Sequence, residues 1–112
     1  MKSEYYRKLK ETGTKNAEWT VVIAWRDSEE RKYDELTYLD FYSNDIKEIP
    51  AMVEIMRDAG EETFTVCEQS TALMEIIHKF VEAGCTMKET VTKTYTTRWG
   101  ETRTDLGIRF SL

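Results

Sequence analysis

The spacing of hydrophobic and polar positions predicts one strand–helix unit near the middle of the chain. Residues 63–67 alternate between polar and apolar side chains, which is typical of a short strand. Ser70 stands where a helix N-cap is expected, and Gly84 where a helix stop is expected. Between them, five apolar residues recur at helical spacing and share one face: Leu73, Ile76, Ile77, Phe80 and Val81.

A second helix of the same design is predicted just before this unit. Its apolar stripe runs through residues 46–56, and Gly60 ends it. Asp45 and Glu48 have the spacing of a capping box at its start. Pro50 is awkward inside such a helix, so the helix is either kinked there or begins at Pro50 as an N1 proline. A shift of 24 residues overlays the two apolar stripes, which indicates two equivalent crossover units.

Strands are predicted on both sides of these units. Residues 19–26 alternate, with Trp19, Val21, Ile23 and Trp25 on one face, and predict a first strand. Residues 27–34 are polar and predict a hairpin loop, and residues 35–42 predict the returning strand. A short helix over residues 4–12 precedes them.

Residues 85–97 and 102–112 predict a C-terminal hairpin. A Gly100-Glu101 turn would place Tyr95 opposite Leu106, and this register is preferred because apolar residues pair in it. A Trp99-Gly100 turn, which would place Tyr95 opposite Thr104, is the alternative.

Together the elements run in the order α-ββ-α-β-α-ββ. The pattern predicts an α+β fold, a two-layer sandwich of a mixed five-stranded sheet with two main helices on one face. Residues 1–112 are expected to form a single domain, with residues 1–13 as a short N-terminal helix and residues 18–112 as the core.

The composition of the chain also predicts where in the cell the protein is located. The longest unbroken apolar run, residues 21–25, is far too short to cross a bilayer, and no leader segment is evident. Cys67 and Cys85 lack the spacing of a metal or redox motif and are expected to be reduced and buried. We therefore expect a cytoplasmic protein without a membrane partner.

Charge is distributed unevenly along the chain. Residues 1–26 carry six basic and three acidic residues, whereas residues 27–82 carry five basic and fifteen acidic ones. Residues 83–112 carry five basic and three acidic residues. The acidic middle would suit a basic partner, or it is simply the solvated face of two helices.

The sequence contains no motif typical of catalysis. His78, the single histidine, lies well away from the apolar face of its helix, and the five glycines are scattered singly as caps and turns use them. No group of residues has the spacing of metal ligands. We expect no enzyme activity, no metal and no cofactor.

The C-terminal hairpin carries the best candidate for a partner-binding surface. Basic and aromatic side chains are interleaved along it, as in β-ribbons that meet nucleic acids. The opposing interpretation is an edge hairpin kept soluble by charge. The candidate residues, called the hairpin residues below, are Lys93, Tyr95, Arg98, Trp99 and Arg103.

Two stretches of the chain resemble a known family. They are residues 39–50, Leu-Asp-Phe-Tyr-Ser-Asn-Asp-Ile-Lys-Glu-Ile-Pro, and residues 70–75, Ser-Thr-Ala-Leu-Met-Glu. In these the chain resembles small uncharacterised proteins of Gram-positive gut bacteria and their mobile elements, over residues 18–110. That family has no assigned activity, so the resemblance implies only an accessory protein with a macromolecular partner.

The function expected from the sequence is therefore a non-enzymatic protein–protein interaction module. Its partner is another protein or a second copy of the chain, which would form a homodimer. The alternative is a nucleic-acid-binding accessory protein that uses the basic C-terminal hairpin.

Overall fold

A computed structural model describes residues 2–112 of the chain. This part of the chain contains five helices and four strands. The helices are α1 (Ser3–Thr12), α2 (Asn16–Glu30), α3 (Ser43–Ile46), α4 (Ile49–Ala59) and α5 (Leu73–Glu82). The strands are β1 (Leu36–Tyr38), β2 (Thr63–Val66), β3 (Thr86–Thr96) and β4 (Thr102–Ser111).

The four strands form one mixed sheet in the order β1-β2-β4-β3. β1 and β2 are parallel and are joined by the crossover through α3 and α4, whereas β4 is antiparallel to both β2 and β3. The α+β class and the mixed sheet agree with the sequence analysis. The predicted five-stranded sheet is wrong, because its first strand does not exist.

Residues 19–26, predicted as that strand, lie inside helix α2. The strand pattern put Trp19 and Val21 on the same face, but Val21 is buried while Trp19 is 45% exposed. The buried positions instead follow a helical period through Ala17, Val21, Ala24 and Ser28. Packing of this face against β1 and α4 outweighs the weak strand preference of the β-branched residues. A third long helix therefore joins the predicted two.

Ser28 explains how a helix can replace a strand beside β1. The backbone amide of Thr37 in β1 donates a hydrogen bond to Ser28 Oγ at 2.9 Å. Ser28 Oγ in turn donates to the carbonyl of Ala24 at 2.7 Å. Helix α2 thus provides a hydrogen-bond partner for the Thr37 amide at the outer edge of β1. Without it, this strand edge would be unpaired.

Substitution of Ser28 by alanine is expected to lower the free energy of unfolding by about 1–3 kcal/mol, because the buried Thr37 amide loses its acceptor. Urea unfolding monitored by circular dichroism measures the loss. Thr94→Ala, which removes an exposed hydroxyl 3.3 Å from Thr104 Oγ1, is the control and should cost under about 0.5 kcal/mol. Equal losses in the two variants would contradict this role for Ser28.

The chain between β1 and α4 is also less regular than predicted. β1 has only three residues of the eight expected, and the helical segment begins at Ser43 rather than at Ile46. The carboxylate of Asp45 accepts the Tyr42 amide at 3.0 Å, so Asp45 does not form the predicted capping box with Glu48. Helix α4 begins at Ile49, one residue before the predicted start at Pro50, and Pro50 lies in its first turn, where a proline is tolerated.

The C-terminal hairpin exists, but both predicted registers are wrong. Tyr95 lies opposite Arg103, not Leu106 or Thr104, and a five-residue loop joins the strands. The loop closes through a hydrogen bond from the Thr97 amide to the Glu101 carbonyl at 2.7 Å. Gly100 adopts a positive φ of 81° within the loop.

The core lies between the sheet and the helices and is built largely of aromatic rings. Phe64 of β2 and Phe110 of β4 stack with their ring centroids 5.3 Å apart. Phe80 of α5 contacts both, at 4.8 and 5.4 Å. Helix α1 joins the core through Tyr6, whose hydroxyl donates to Glu61 at 2.8 Å. Residues near both ends of the chain therefore share one core.

Most of the predicted central unit is confirmed, but the N-cap of α5 is Ala72 rather than Ser70, and Val81 of the predicted stripe is half-exposed. The Ser70 hydroxyl accepts the Ala72 amide at 3.2 Å, just before α5 begins. Ile76 and Phe80 of the predicted stripe are fully buried. Gly84 follows the helix with a φ of 95°, the left-handed conformation that the stop required.

Candidate functional site

The hairpin residues divide into two groups in the structure. Trp99 lies in the loop between β3 and β4 and is 81% exposed, with the Arg98 guanidinium 5.1 Å from its ring centroid. Arg103 lies nearby on β4 and forms an ion pair with Glu101 at 3.2 Å. These three side chains remain accessible to a partner.

Lys93 and Tyr95 instead contact other residues of the same chain. They lie on the face of the sheet opposite the aromatic core, where residues 31–35 cross over the strands. The Arg31 guanidinium lies 4.3 Å from the centroid of the Tyr95 ring, and Tyr33 meets the same ring edge-on. The Lys93 side chain is only 7% exposed. The structure thus does not bring the five hairpin residues together as one surface.

Lys93 belongs to a buried polar cluster centred on Glu35. We call it the Glu35 cluster, and its members are Glu35, Thr63, Thr65, Lys93 and Arg109. Lys93 Nζ lies 2.8 Å from Glu35 Oε1, and Arg109 Nε donates to the same carboxylate at 3.0 Å. Thr63 Oγ1 donates to Glu35 Oε2 at 2.7 Å.

The Glu35 carboxylate is the charged centre of this cluster and is 11% exposed. Burial by itself raises the pKa of Glu35, but the hydrogen bonds from Lys93, Thr65 and the other members outweigh that effect and lower the pKa to about 2. Both carboxylate oxygens are occupied by protein donors. The cluster therefore holds residues 31–35 on the sheet and is not a binding site.

The depressed pKa of Glu35 predicts loss of stability in acid. The carboxylate contributes fully above the unfolded-state pKa of about 4.5 and progressively less as the pH falls toward 2. The contribution lost is about 3 kcal/mol, on the basis of about 1.4 kcal/mol per pKa unit. Urea unfolding between pH 6 and about pH 2.5 measures it. Glu101→Gln should leave the acid dependence unchanged and Glu35→Gln should flatten it; the opposite order would contradict the assignment.

A surface groove lies beside the exposed stripe of helix α2, which contains Trp19 and Ile23. Its volume is about 290 Å³. Its walls are the stripe of α2 on one side and the segment from Tyr38 to Asp45 on the other. We call it the α2 groove; it is lined by Asn16, Trp19, Thr20, Ile23, Ala24, Asp27, Tyr38, Leu39, Asp40, Tyr42 and Asp45.

Asp45 fixes the two walls of the groove to each other. Its Oδ1 accepts hydrogen bonds from Thr20 Oγ1 at 3.0 Å and from Asn16 Nδ2 at 3.4 Å. Its other oxygen accepts the Tyr42 amide. The carboxylate is thus used in holding the groove in shape.

Large apolar side chains are exposed along the rim. Trp19 and Ile23, one turn apart on α2, are each 45% exposed, and Tyr42 on the facing segment is 77% exposed. Neighbouring exposed side chains of this size are the usual mark of an interaction surface, whereas single ones are common on any protein.

Two carboxylates of the groove are free of protein partners. The side-chain oxygens of Asp27 and Asp40 form no hydrogen bond or ion pair with any residue from 2 to 112. Asp27 is half-buried, and burial raises the pKa of its carboxyl above the ordinary value. Arg31 and Arg26 lower it by a smaller amount, and Glu30 and Asp40 raise it further.

Sequence reasoning missed the α2 groove because it assigned residues 19–26 to a strand. Trp19 and Ile23 were then expected to share a face with the buried Val21 and Trp25. A signal for the groove was present in the helical period, which leaves Trp19, Ile23 and Asp27 on a stripe separate from the buried one.

The described part of the chain contains few other residues of the types that act in catalysis or bind metals. His78 is exposed on α5 and lies 3.5 Å from Glu82. Both cysteines are free and buried, and burial raises the pKa of each thiol. Between residues 2 and 112, no group of three or more His, Cys, Asp or Glu side chains is arranged to hold a metal ion. None of the helices described there is long and apolar enough to cross a membrane.

Fold and site define an α+β protein with a four-stranded mixed sheet and an open groove of aromatic and acidic residues. The chain belongs to the family described as domain of unknown function DUF7698, whose model matches residues 20–112. The match begins inside α2 and covers every lining residue of the α2 groove except Asn16 and Trp19. Among curated proteins, none matches the chain.

Proposed function

We propose that the protein is a protein–protein interaction module that binds its partner through the α2 groove. The observation that carries the proposal is the set of exposed large side chains, Trp19, Ile23 and Tyr42, around one groove. Tryptophan and tyrosine contribute strongly to protein interfaces because each buries a large area at low entropic cost.

The form of the groove supports a peptide segment of a protein as the ligand. Its volume of about 290 Å³ is small for an enclosed ligand pocket and suits one or two inserted side chains. Its apolar residues stand on the rim, where they would contact the chain on either side of the inserted residue. The hydrogen bonds of Asp45 hold both walls in place, which lowers the cost of ordering the site on binding.

Selection from a random dodecapeptide display library tests the proposal with the purified protein. We expect enriched peptides that bind the wild type and the Trp99→Ala variant equally. Binding should fall at least tenfold in the double variant Trp19→Ala/Tyr42→Ala, whose fold is checked by circular dichroism. Peptides that depend on Trp99 but not on Trp19 would move the site to the hairpin, and absence of enriched peptides would contradict the proposal.

Binding of nucleic acid by the C-terminal hairpin stays a prediction. The exposed cations Arg98 and Arg103 are its strongest support in the structure, whereas Lys93 is held by Glu35. Anisotropy of labelled random DNA and RNA at low and raised salt tests it. Salt-sensitive binding that is lost in Arg98→Glu/Arg103→Glu would support this alternative.

The cellular location, the biological context and the self-association of the protein are also proposals. We infer a cytoplasmic location, consistent with the two free cysteines. A role as an accessory protein of a mobile element rests on the sequence resemblance alone. Self-association would use the open edge of β3, the outermost strand of the sheet, and light scattering at increasing concentration measures it.

A further inference from the structure

We propose that the α2 groove selects a basic segment of its partner, with an arginine or lysine side chain held between the rim aromatics and the carboxylates of Asp27 and Asp40. This inference rests on the proposed function, which names the groove but not the chemistry of its ligand. It follows from the charges, the free hydrogen-bonding capacity and the aromatic rims of the groove.

The charges of the lining residues are all of one sign. Three carboxylates, those of Asp27, Asp40 and Asp45, line the groove, and its lining contains no lysine, arginine or histidine. The low polarity of the apolar walls strengthens the attraction of these carboxylates for a cation. A neutral or acidic segment would leave them uncompensated on binding.

Two of the three carboxylates have unused hydrogen-bonding capacity. Asp45 is occupied by Asn16, Thr20 and the Tyr42 amide. Asp27 and Asp40 have no such partners among residues 2–112. Arg31 and Arg26 lower the pKa of Asp27 from a distance, but neither forms an ion pair with it, and Arg31 pairs with Asp105 at 3.4 Å. Asp27 is half-buried whereas Asp40 is exposed, so the cost of an unpaired carboxylate falls on Asp27, and a cation from a ligand relieves that cost.

The rim aromatics suit the same ligand. Trp19 and Tyr42 can offer ring faces to a cation, and the attraction is largest for a guanidinium over tryptophan. The described chain already places a guanidinium over an aromatic ring twice, with Arg31 over Tyr95 at 4.3 Å and Arg98 over Trp99 at 5.1 Å. The alkyl part of the arginine or lysine side chain would pack against Ile23.

The test uses four fluorescein-labelled peptides that differ at two positions. The parent is Gly-Ser-Leu-Arg-Leu-Arg-Leu-Ser-Gly, and the others carry lysine, glutamine or glutamate in place of both arginines. Fluorescence polarisation with the full chain measures each affinity at low and raised salt. We expect the arginine and lysine peptides to bind at least tenfold more tightly than the glutamine peptide, and the glutamate peptide to bind least.

Variants of the protein test whether the preference for basic peptides comes from the α2 groove. Asp27→Asn/Asp40→Asn should remove the tenfold preference for basic peptides, whereas Asp58→Asn, which removes a charge on α4 outside the groove, should keep it. Trp19→Ala should weaken every peptide. Circular dichroism checks that each variant is folded.

Failure of this inference is distinguishable from failure of the proposed function. Equal affinity for the arginine and glutamine peptides, together with weaker binding by Trp19→Ala, would overturn the basic preference and leave the groove as the site. Basic preference that persists in Asp27→Asn/Asp40→Asn would overturn the assignment to these carboxylates. Absence of any binding sensitive to Trp19→Ala would overturn both.

Discussion

Replacement of Glu35 by glutamine is expected to lower the free energy of unfolding by about 3–5 kcal/mol, because it removes one partner of a buried ion pair. The Lys93 ammonium, only 7% exposed, would keep only the longer ion pair with Asp34 Oδ1 at 3.3 Å, and the Asp34 side chain is 88% exposed. The Thr63 and Thr65 hydroxyls would also lose a charged acceptor.

Urea unfolding at pH 7 measures the loss. Glu101→Gln is the matched control, because it makes the same chemical change in the exposed pair with Arg103 and should cost under about 1 kcal/mol. A second variant, Glu35→Leu/Lys93→Met, removes both charges and should recover part of the loss. Similar costs for Glu35→Gln and Glu101→Gln would show that the buried cluster does not hold the sheet face in place.

Truncation of Phe80 to alanine is expected to lower the free energy of unfolding by about 3–5 kcal/mol. Phe80 is fully buried and contacts the rings of Tyr38, Phe41, Phe64 and Phe110, so its removal opens a cavity where α5 meets the sheet. Relaxation of four surrounding aromatic rings fills such a cavity poorly.

The neighbouring residue provides the control for this prediction. Val81 follows Phe80 on α5 but is half-exposed, so Val81→Ala should cost under about 1 kcal/mol. Thermal and urea unfolding measure both variants. A cost for Val81→Ala as large as that for Phe80→Ala would contradict the position of α5 in the fold.

The central unit was predictable because its local signals agree with one another. The Ser70 hydroxyl accepts the Ala72 amide in the turn before α5, Ile76 and Phe80 are buried, and Gly84 takes a positive φ. Each of these features depends on residues close in sequence. The same holds for the existence of α1, α4 and the C-terminal hairpin.

Helix α2 was not predictable from the same kind of reasoning. Residues 19–26 are rich in tryptophan and β-branched residues, and their alternation fits a strand as well as their helical period fits a helix. The choice is made by tertiary packing of the buried face of α2 against β1 and α4, together with the hydrogen bond between Ser28 and Thr37 at the edge of β1. The α2 groove was missed as a direct result.

The hairpin residues show a different limit of sequence reasoning. Lys93 and Tyr95 lie beside Arg98 and Trp99 in sequence, and alternation alone does not reveal what covers their face of the sheet. That face is covered by residues 31–35, which bring Glu35 to Lys93 and Arg31 to Tyr95. A basic residue in a ribbon is available to a partner only where no acidic segment of the same chain reaches it.

The most direct test of the proposed module is an NMR titration of the ¹⁵N-labelled protein with the arginine peptide. We expect amide shifts to concentrate around the α2 groove, at Thr20, Ile23, Asp40 and Tyr42, and to be absent in Trp19→Ala/Tyr42→Ala. Shifts confined to residues 97–101, or no shifts at saturating peptide, would contradict binding through the groove.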